Sequence, residues 1–246
     1  MQIIIHGSTG RMGQNMIACA RAAGYGIAAE ISPEVVENAA ENRFLTLPQY
    51  TGAADCVVDF SHNSATPDLL AYCVERKLPV VIATTGQTTE EMEMIHKAAE
   101  SIPVFYSGNM SVGIAVLASL AKTAAAAFPG ADIEIVEKHH NQKLDVPSGT
   151  ALLLANRIRE ARTEATLLVG RHENGKRTKA EVGIHSLRMG NTVGIHEVII
   201  NTGTQLLTLK HEAQDRALFA DGAVAAAAFL VAQKPGLYTM DDLVKE

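Results

Sequence analysis

The amino-terminal part of the chain alternates short apolar runs with segments of helical periodicity. The clearest runs are QIIIH (Gln2–His6), GIAAEI (Gly26–Ile31), CVVDF (Cys56–Phe60) and PVVIATT (Pro79–Thr85). Continuous apolar runs, in contrast to alternating ones, are typical of parallel strands that are covered on both faces. Helical segments such as Arg11–Ala23 separate the runs. This alternation predicts an α/β domain built on a Rossmann-type, doubly wound parallel sheet.

The second half of the chain follows a different pattern. Two helices are predicted there, over Ser111–Ala127 and Thr150–Arg162. Strand-like runs then predict an open mixed sheet, and they cover Thr178–Leu187, Thr192–Asn201 and Gln205–His211. The last helix, Arg216–Gln233, is expected to pack back on the first domain. We therefore predict a dinucleotide-binding domain from residues 1–109 and 217–246, and an α+β substrate-binding and oligomerisation domain from residues 110–216.

Composition narrows the possible partners. The 246 residues carry a formal net charge of −6 and include 47% hydrophobic and 20% charged residues, a normal balance for a globular protein. The negative charge argues against nucleic acid or an acidic membrane as the main partner. The longest apolar segments are interrupted by Lys122 and Asp221, so they are interpreted as ordinary helices and not as membrane spans.

Cysteine usage and the amino end point to the cytoplasm. Cys19, Cys56 and Cys73 form no CxxC pair and lie inside apolar runs, which favours buried thiols over a disulfide or zinc site. The opening MQIIIHG has no basic segment typical of a secretory signal. A cytoplasmic location is therefore expected.

A glycine-rich loop, GSTGRMG, joins the first predicted strand to the first predicted helix. Small residues there let the backbone approach a pyrophosphate at a helix amino terminus. The spacing of Gly7, Gly10 and Gly13 is GxxGxxG, because Thr9 occupies the place of the usual second glycine. Glu30 ends the second strand, where a carboxylate can bind ribose hydroxyls. The loop and Glu30 together favour nucleotide binding over a tight turn without a ligand.

Two later strand ends carry small and hydroxyl residues, ATTG (Ala83–Gly86) and SGNMS (Ser107–Ser111). In open parallel sheets, ligands bind beyond the carboxyl ends of the strands. These segments would leave room for a nicotinamide ring and offer it hydrogen bonds.

The stretch EKHHNQKLDVPSGTA, Glu137–Ala151, concentrates side chains that can carry protons. His139 and His140 end a predicted strand and would face opposite ways, and Lys143 follows in a loop. Ser148 is placed to cap the next helix, whose first N–H groups face the same loop. The combination predicts a site for a small anion such as a carboxylate. The sequence contains neither an HExxH motif nor cysteine ligands for a metal site, and it contains no GxSxG motif of a hydrolase. A purely structural role of the histidines remains an alternative.

Seven motifs together closely resemble those of the 4-hydroxy-tetrahydrodipicolinate reductase family, also called the dihydrodipicolinate reductase family. In chain order they are GSTGRMG, VDFSH, ATTG, GNMSVG, EKHHNQKLDVPSGTA, RMGNTVGIHE and KHEAQDRALFADGA. The likeness extends over nearly the whole chain, and the His-His-x-x-Lys-x-Asp-x-Pro-Ser-Gly-Thr element is highly specific. Ala83 departs from the pattern, since many relatives have glycine there.

The resemblance implies reduction of a cyclic dicarboxylate in lysine and diaminopimelate biosynthesis with NADH or NADPH, by a homotetramer. It implies that His139 and Lys143 transfer the proton, and that His140, Gly149 and Thr150 bind the substrate. The cofactor-binding residues that it implies are Gly7, Ser8, Thr9, Gly10, Arg11, Met12, Glu30, Ala83, Thr84, Thr85, Ser107, Gly108, Asn109 and Met110. No metal is implied.

The end of the second strand also bears on the choice of cofactor. Glu30 is followed by Ile31 and Ser32, with no basic residue after it, and an acid at this place favours NADH over the 2′-phosphate of NADPH. Arg11 is the cation expected near the adenosine end. We therefore expect NADH to be used at least as well as NADPH, with use of both.

Two other functions remain open at this point. One is another two-domain nicotinamide dehydrogenase, of the aspartate-semialdehyde or homoserine type, although the HHxxK loop argues against it. The other is a non-catalytic nicotinamide-binding redox sensor, which would need no proton donors beside a carboxylate site.

Overall fold

The computed structural model describes residues 1–36, 38 and 41–245 of the chain. It divides into two compact units, Met1–Val112 with Ala217–Glu246, and Gly113–Arg216. The sequence-based division placed the corresponding boundaries after residues 109 and 216.

The helices and strands have the following bounds. The helices are α1 (Arg11–Ala22), α2 (Thr66–Arg76), α3 (Thr89–Ala99), α4 (Val112–Ala127), α5 (Gly149–Ala161), α6 (Ala217–Leu230) and α7 (Met240–Leu243). The strands of the first unit are β1 (Gln2–His6), β2 (Gly26–Ile31), β3 (Arg43–Phe44), β4 (Cys56–Asp59), β5 (Val80–Ile82), β6 (Pro103–Tyr106) and β12 (Gly236–Tyr238). Those of the second unit are β7 (Asp132–His139), β8 (Thr166–Val169), β9 (Glu181–Arg188), β10 (Gly194–Asn201) and β11 (Leu206–Ala213).

The first unit is built on a parallel sheet with strand order β12-β6-β5-β4-β1-β2-β3. The apolar residues of its central strands β1, β4 and β5 are fully buried, as their continuous apolar runs predict. Strand order reverses at β1, which lies between β2 and β4, so the carboxyl ends of these strands border the crevice where such sheets bind ligands. The Rossmann-type sheet is therefore confirmed.

Helix α6 packs within this first unit, as predicted for the last helix. It contacts α1 and strands β4, β5 and β6. Gly222 permits the close approach, because a Cβ at this position would lie only 1.7 Å from the backbone oxygen of Met110.

The second unit contains a mixed sheet with strand order β11-β10-β7-β9-β8. Strand β10 runs antiparallel to β7 and β11, whereas β7, β9 and β8 are parallel. Apolar side chains on one face, such as Ile133 and Val198, pack in one core with Leu154 and Ile158 of α5 and with Leu117 of α4. The predicted mixed sheet is confirmed.

Over the part of the chain that the structure describes, no helix is both long and apolar enough to cross a membrane.

Candidate active site

The glycine loop after β1 packs tightly against the end of β2 and the backbone that follows β4. The N–H groups of Gly7 and Ser8 donate to the backbone oxygen of Ile31, at 2.8 and 3.1 Å. Gly7 has φ +81°, and a Cβ there would lie 2.7 Å from the Phe60 backbone. A Cβ on Gly13 would lie 2.2 Å from the Gly7 oxygen. Glycine is thus required at both positions for the first turn of α1 to approach the loop.

The loop also fits a bound phosphate group. Gly10 is the N-cap of α1 and supplies no side-chain cap, so the first N–H groups of α1 are available to an anion. The Ser8 hydroxyl is fully buried and has no hydrogen-bond partner among the residues that the structure describes. Thr9, in contrast, binds Ser32 at 2.7 Å. The loop from Gly7 to Met12 therefore suits a dinucleotide's pyrophosphate, although the Thr9 hydroxyl already has a partner.

The surroundings of Glu30 differ from the expectation in one respect. Arg43 Nε lies 3.4 Å and Arg21 Nη2 lies 3.6 Å from the Glu30 carboxylate. Arg43 reaches it because β3 pairs with β2 in a register that places Arg43 opposite Glu30. Ile31 is fully buried, so its side chain points away from this site. The expectation that Arg11 is the cation near this end was therefore incomplete: two other arginines contact Glu30.

Polar side chains at the ends of β1, β4 and β5 converge on one buried carboxylate, Asp59. It accepts hydrogen bonds from the Ser61 hydroxyl at 2.6 Å and the Thr84 hydroxyl at 3.1 Å. His6 Nδ1 lies 2.8 Å from it. The hydroxyl of Thr84 is thus turned into the protein, while Thr85 is exposed. Of the two threonines in the predicted ATTG segment, Thr85 has its side chain open to solvent. Thr84 instead ties the end of β5 to Asp59 at the end of β4.

The segment after β6 is organised by its own hydrogen bonds. The Ser107 hydroxyl donates to the Asn109 oxygen at 2.7 Å and accepts from the Asn109 N–H. The Asn109 side chain in turn accepts from the Ser111 N–H at 2.9 Å. The Ser107 N–H donates to the Ile82 oxygen at 3.3 Å, which ties this turn to β5. Residues Ala83–Thr85 and Ser107–Met110 therefore lie at neighbouring carboxyl ends of one sheet, as the sequence predicts.

In the second unit, His139 ends β7 and is almost completely buried. Its Nδ1 lies 2.5 Å from Oε2 of Glu137. Glu137, two residues earlier on the same face of β7, is fully buried. Arg188 donates to both carboxylate oxygens of Glu137, at 2.8 and 2.9 Å. This histidine is held by a carboxylate that is itself held by an arginine.

The charges of this group are set by burial and by hydrogen bonds. Burial alone would raise the pKa of Glu137, but hydrogen bonds from Arg188 and His139 outweigh it and lower this pKa to about 2. Burial lowers the pKa of His139, and the Glu137 carboxylate opposes that shift. Glu137 is therefore ionised at neutral pH and can only accept hydrogen bonds.

The amino end of α5 joins the same cluster. Ser148 is its N-cap, as predicted, and its hydroxyl accepts from the Ala151 N–H. The Ser148 N–H donates to Oε1 of Glu137 at 3.2 Å. Its hydroxyl lies 3.2 Å from Nε2 of His196, a buried ring that packs edge-on against His139 with centroids 5.1 Å apart. Burial, with His139 nearby, lowers the pKa of His196 to about 4.

The remaining predicted substrate residues lie on the outer side of this cluster. Gly149 is exposed, and His140 and Thr150 are half-buried. Nζ of Lys143 lies 2.8 Å from Asp145, and this hydrogen bond lowers the pKa of Asp145. A carboxylate ligand bound at Lys143 would thus share the positive charge of the Lys143 ammonium group with Asp145.

Three residues of this cluster were not predicted from the sequence as site residues, namely Glu137, Arg188 and His196. One signal was present: Glu137 and His139 share a strand face that otherwise carries the apolar Ile133 and Ile135. An ionised residue at such a core position must be paired with another polar or charged group. The strand pattern could therefore have indicated Glu137 as a candidate site residue.

Models of a known family match nearly the whole chain. The model described as "Dihydrodipicolinate reductase, N-terminus" matches residues 1–110, and "Dihydrodipicolinate reductase, C-terminus" matches residues 113–244. The chain belongs to the dihydrodipicolinate reductase family. This confirms the resemblance that the motifs carry.

Relatives within the dihydrodipicolinate reductase family are similar over their full lengths. The 4-hydroxy-tetrahydrodipicolinate reductase of Caldanaerobacter subterraneus subsp. tengcongensis is 45% identical, with 100% of this chain and 99% of the relative covered. That of Clostridium novyi is 40% identical, with 99% and 98% covered. A solved structure, dipicolinate-bound dihydrodipicolinate reductase from Paenisporosarcina sp. TG-14, superposes with a TM-score of 0.84 at 26% identity and covers 99% of each chain. Enzymes of this family are oxidoreductases that use NADH or NADPH.

Proposed function

We propose that this protein reduces 4-hydroxy-tetrahydrodipicolinate to tetrahydrodipicolinate with NADH or NADPH, a step of lysine and diaminopimelate biosynthesis. One observation carries the proposal: a chain 45% identical to a named reductase over its whole length retains the complete His-His-x-x-Lys-x-Asp-x-Pro-Ser-Gly-Thr element. Family membership also favours this function over a semialdehyde or homoserine dehydrogenase and over a redox sensor.

The cofactor, when bound, supplies a hydride to the conjugated ring of the substrate. The residues proposed to hold it belong to the first unit, and they are Gly7, Ser8, Thr9, Gly10, Arg11, Met12, Glu30, Ala83, Thr84, Thr85, Ser107, Gly108, Asn109 and Met110. The buried Ser8 hydroxyl without a partner and the contacts that require Gly7 and Gly13 support this assignment.

The second unit is proposed to bind the substrate and supply the proton. Addition of a hydride leaves negative charge on the ring, and a proton must reach the neighbouring carbon. His139 and Lys143 are proposed for this transfer, since histidine titrates near neutral pH and lysine stabilises developing negative charge. His140, Gly149 and Thr150 are proposed to bind the substrate carboxylates, because a helix amino terminus favours anions.

A coupled assay tests the function. Aspartate semialdehyde, pyruvate and the synthase that condenses them supply the substrate, and absorbance follows oxidation of NADH or NADPH. We expect His139→Gln and Lys143→Ala to lower kcat by about 10²- to 10⁴-fold while the Kd for the cofactor stays unchanged. An absence of synthase-dependent oxidation in the wild-type protein would reject the proposal.

We also infer a homotetramer in the cytoplasm. The mixed sheet packs α4 and α5 against one face, and every residue of its edge strand β11 is exposed or half-buried, with Leu206 63% exposed. Such an edge favours pairing with another copy.

The cytoplasmic location is inferred from the cysteines. Buried free thiols such as Cys56, whose pKa burial raises to about 12, suit a reducing compartment. The sedimentation mass and cell fractionation test these two points, and a monomer or an extracytoplasmic location would contradict them.

A further inference from the structure

The feature that the proposed chemistry leaves unexplained is the buried carboxylate of Glu137. Its side chain has no exposed surface, and placing an ionised group there is unfavourable unless it is paired and hydrogen-bonded. The protein pairs it fully: Arg188 binds both oxygens, the Ser148 N–H binds Oε1 and His139 binds Oε2. An apolar residue would fill this core position with no such requirement, so a role for the charge is indicated.

The contact with His139 determines which ring nitrogen is free. An ionised carboxylate can only accept, so the nitrogen that faces it, Nδ1, carries a hydrogen. Nε2 is then the atom that can exchange a proton. It lies beside Gly194, where an added Cβ would be only 3.1 Å away, so the space next to Nε2 is kept free of a side chain.

The charged and titratable groups around His139 come from four elements. Glu137 belongs to β7 and favours the imidazolium form, whereas Arg188 of β9 and Lys143 of the following loop oppose it. His196 of β10 packs against the ring. Among the described residues, Glu137 is the carboxylate within hydrogen-bond distance of the ring.

We infer that Glu137, clamped by Arg188, is the positioning residue of this reductase: it holds Nδ1–H of His139 and the amino end of α5 in one arrangement and leaves Nε2 to exchange the proton. The inference rests on the proposed function and deepens it. The bound cofactor would supply the hydride; the imidazolium form of His139 would give its Nε2 proton to the neighbouring ring carbon and would become a neutral imidazole that keeps Nδ1–H bound to Glu137. Because the same carboxylate binds the Ser148 N–H, it aligns the proton donor with the helix end proposed to bind the substrate carboxylates.

The test replaces the charge and follows His139 directly. Glu137→Gln keeps the size of the side chain, and the double variant Glu137→Gln/Arg188→Met also removes the arginine that would otherwise be left unpaired. We expect kcat to fall by about 10- to 100-fold with unchanged cofactor Kd. We also expect the titration of His139, observed by ¹⁵N NMR of labelled histidines, to move to lower pH, because its imidazolium has lost a negative partner. The limb of the pH–rate profile that falls towards high pH should move in the same direction.

Glu134→Gln is the matched control. Glu134 lies on the same strand but on the opposite face, and it too binds one histidine, His185 at 2.9 Å, and one arginine, Arg177. It should leave the His139 titration and the pH profile in place.

The results separate this inference from the proposed function. If Glu137→Gln lowers kcat without moving the His139 titration or the pH profile, or leaves kcat unchanged, Glu137 is not a positioning residue and the inference is wrong. The NMR titration needs no substrate, so it tests the Glu137–His139 coupling even if the wild-type protein fails the reductase assay.

Discussion

At the scale of single residues, the pair formed by Glu30 and Arg43 bears on cofactor choice. A carboxylate at the end of β2 repels the 2′-phosphate of NADPH, and an arginine beside it can bind that phosphate. Arg43, 3.4 Å from Glu30, is placed to do so. We predict that Arg43→Ala raises the Kd for NADPH about 2- to 5-fold more than the Kd for NADH. Fluorescence titration with both cofactors measures this, and the difference should shrink at high salt.

Lys97→Ala serves as the control for this prediction, since it removes an exposed cation from α3 in the same unit. It should leave the ratio of the two dissociation constants unchanged. An equal loss of affinity for both cofactors in Arg43→Ala would show that Arg43 does not discriminate between them.

The same residues show what can be predicted from sequence alone. The glycine loop, the acid at the end of β2 and the capped His-Lys segment are local, because spacing along the chain places each of them on its turn or helix end. Arg43 and Arg188 were not predicted, because only the register between neighbouring strands places them beside the site residues. Arg43 lies opposite Glu30, and Arg188 lies opposite His139. Register depends on tertiary packing, which a single sequence does not display.

At the scale of secondary-structure elements, burial separates the predicted strands from the missed ones. Strands β1 and β2 have the predicted bounds, because continuous apolar runs define buried strands. Strands β3, β8 and β12 were not predicted, and all three lie at sheet edges. They are only two to four residues long and none of their residues is buried, so no run long enough to indicate a buried strand marks them, and pairing with a neighbour stabilises them.

The end of α5 illustrates a tertiary effect on helix length. The helix was predicted to include Arg162, but it ends at Ala161. Arg162 is buried, and its guanidinium donates to the backbone oxygens of Ala125, Phe128 and Ala131 at the carboxyl end of α4 and just beyond it. These carbonyls accept no hydrogen bond within a helix. Arg162 leaves the helical backbone conformation, with φ −131° and ψ 84°, and its guanidinium supplies the missing donors.

At the scale of the whole molecule, the buried groups of the second unit make stability depend on pH. The pKa of His196 falls from 6.5 to about 4 on folding, so below pH 6.5 the unfolded chain binds a proton that the folded chain does not. Stability from this group is present above pH 6.5 and is lost as the pH falls towards 4. The pKa of Glu137 falls from 4.5 to about 2, so its contribution is lost from pH 4.5 downward. Each loss amounts to about 3 kcal/mol when complete.

Chemical denaturation at pH 7.5 and pH 5 tests this linkage, because the His196 window opens between these values and the Glu137 window lies below both. Burial also lowers the pKa of His139 and of His211, so both add to the loss in the same direction, and the His196 variant isolates the part due to His196. We predict that the free energy of unfolding of the wild-type protein falls by about 2 kcal/mol from His196 over this interval. His196→Gln should be less stable at pH 7.5, since it disturbs the contact with Ser148, but it should lose much less stability on acidification. His96→Gln, at an exposed position of α3, should follow the wild-type dependence. An equally steep loss in His196→Gln would mean that the acid sensitivity arises from other groups, because a glutamine at this position cannot titrate.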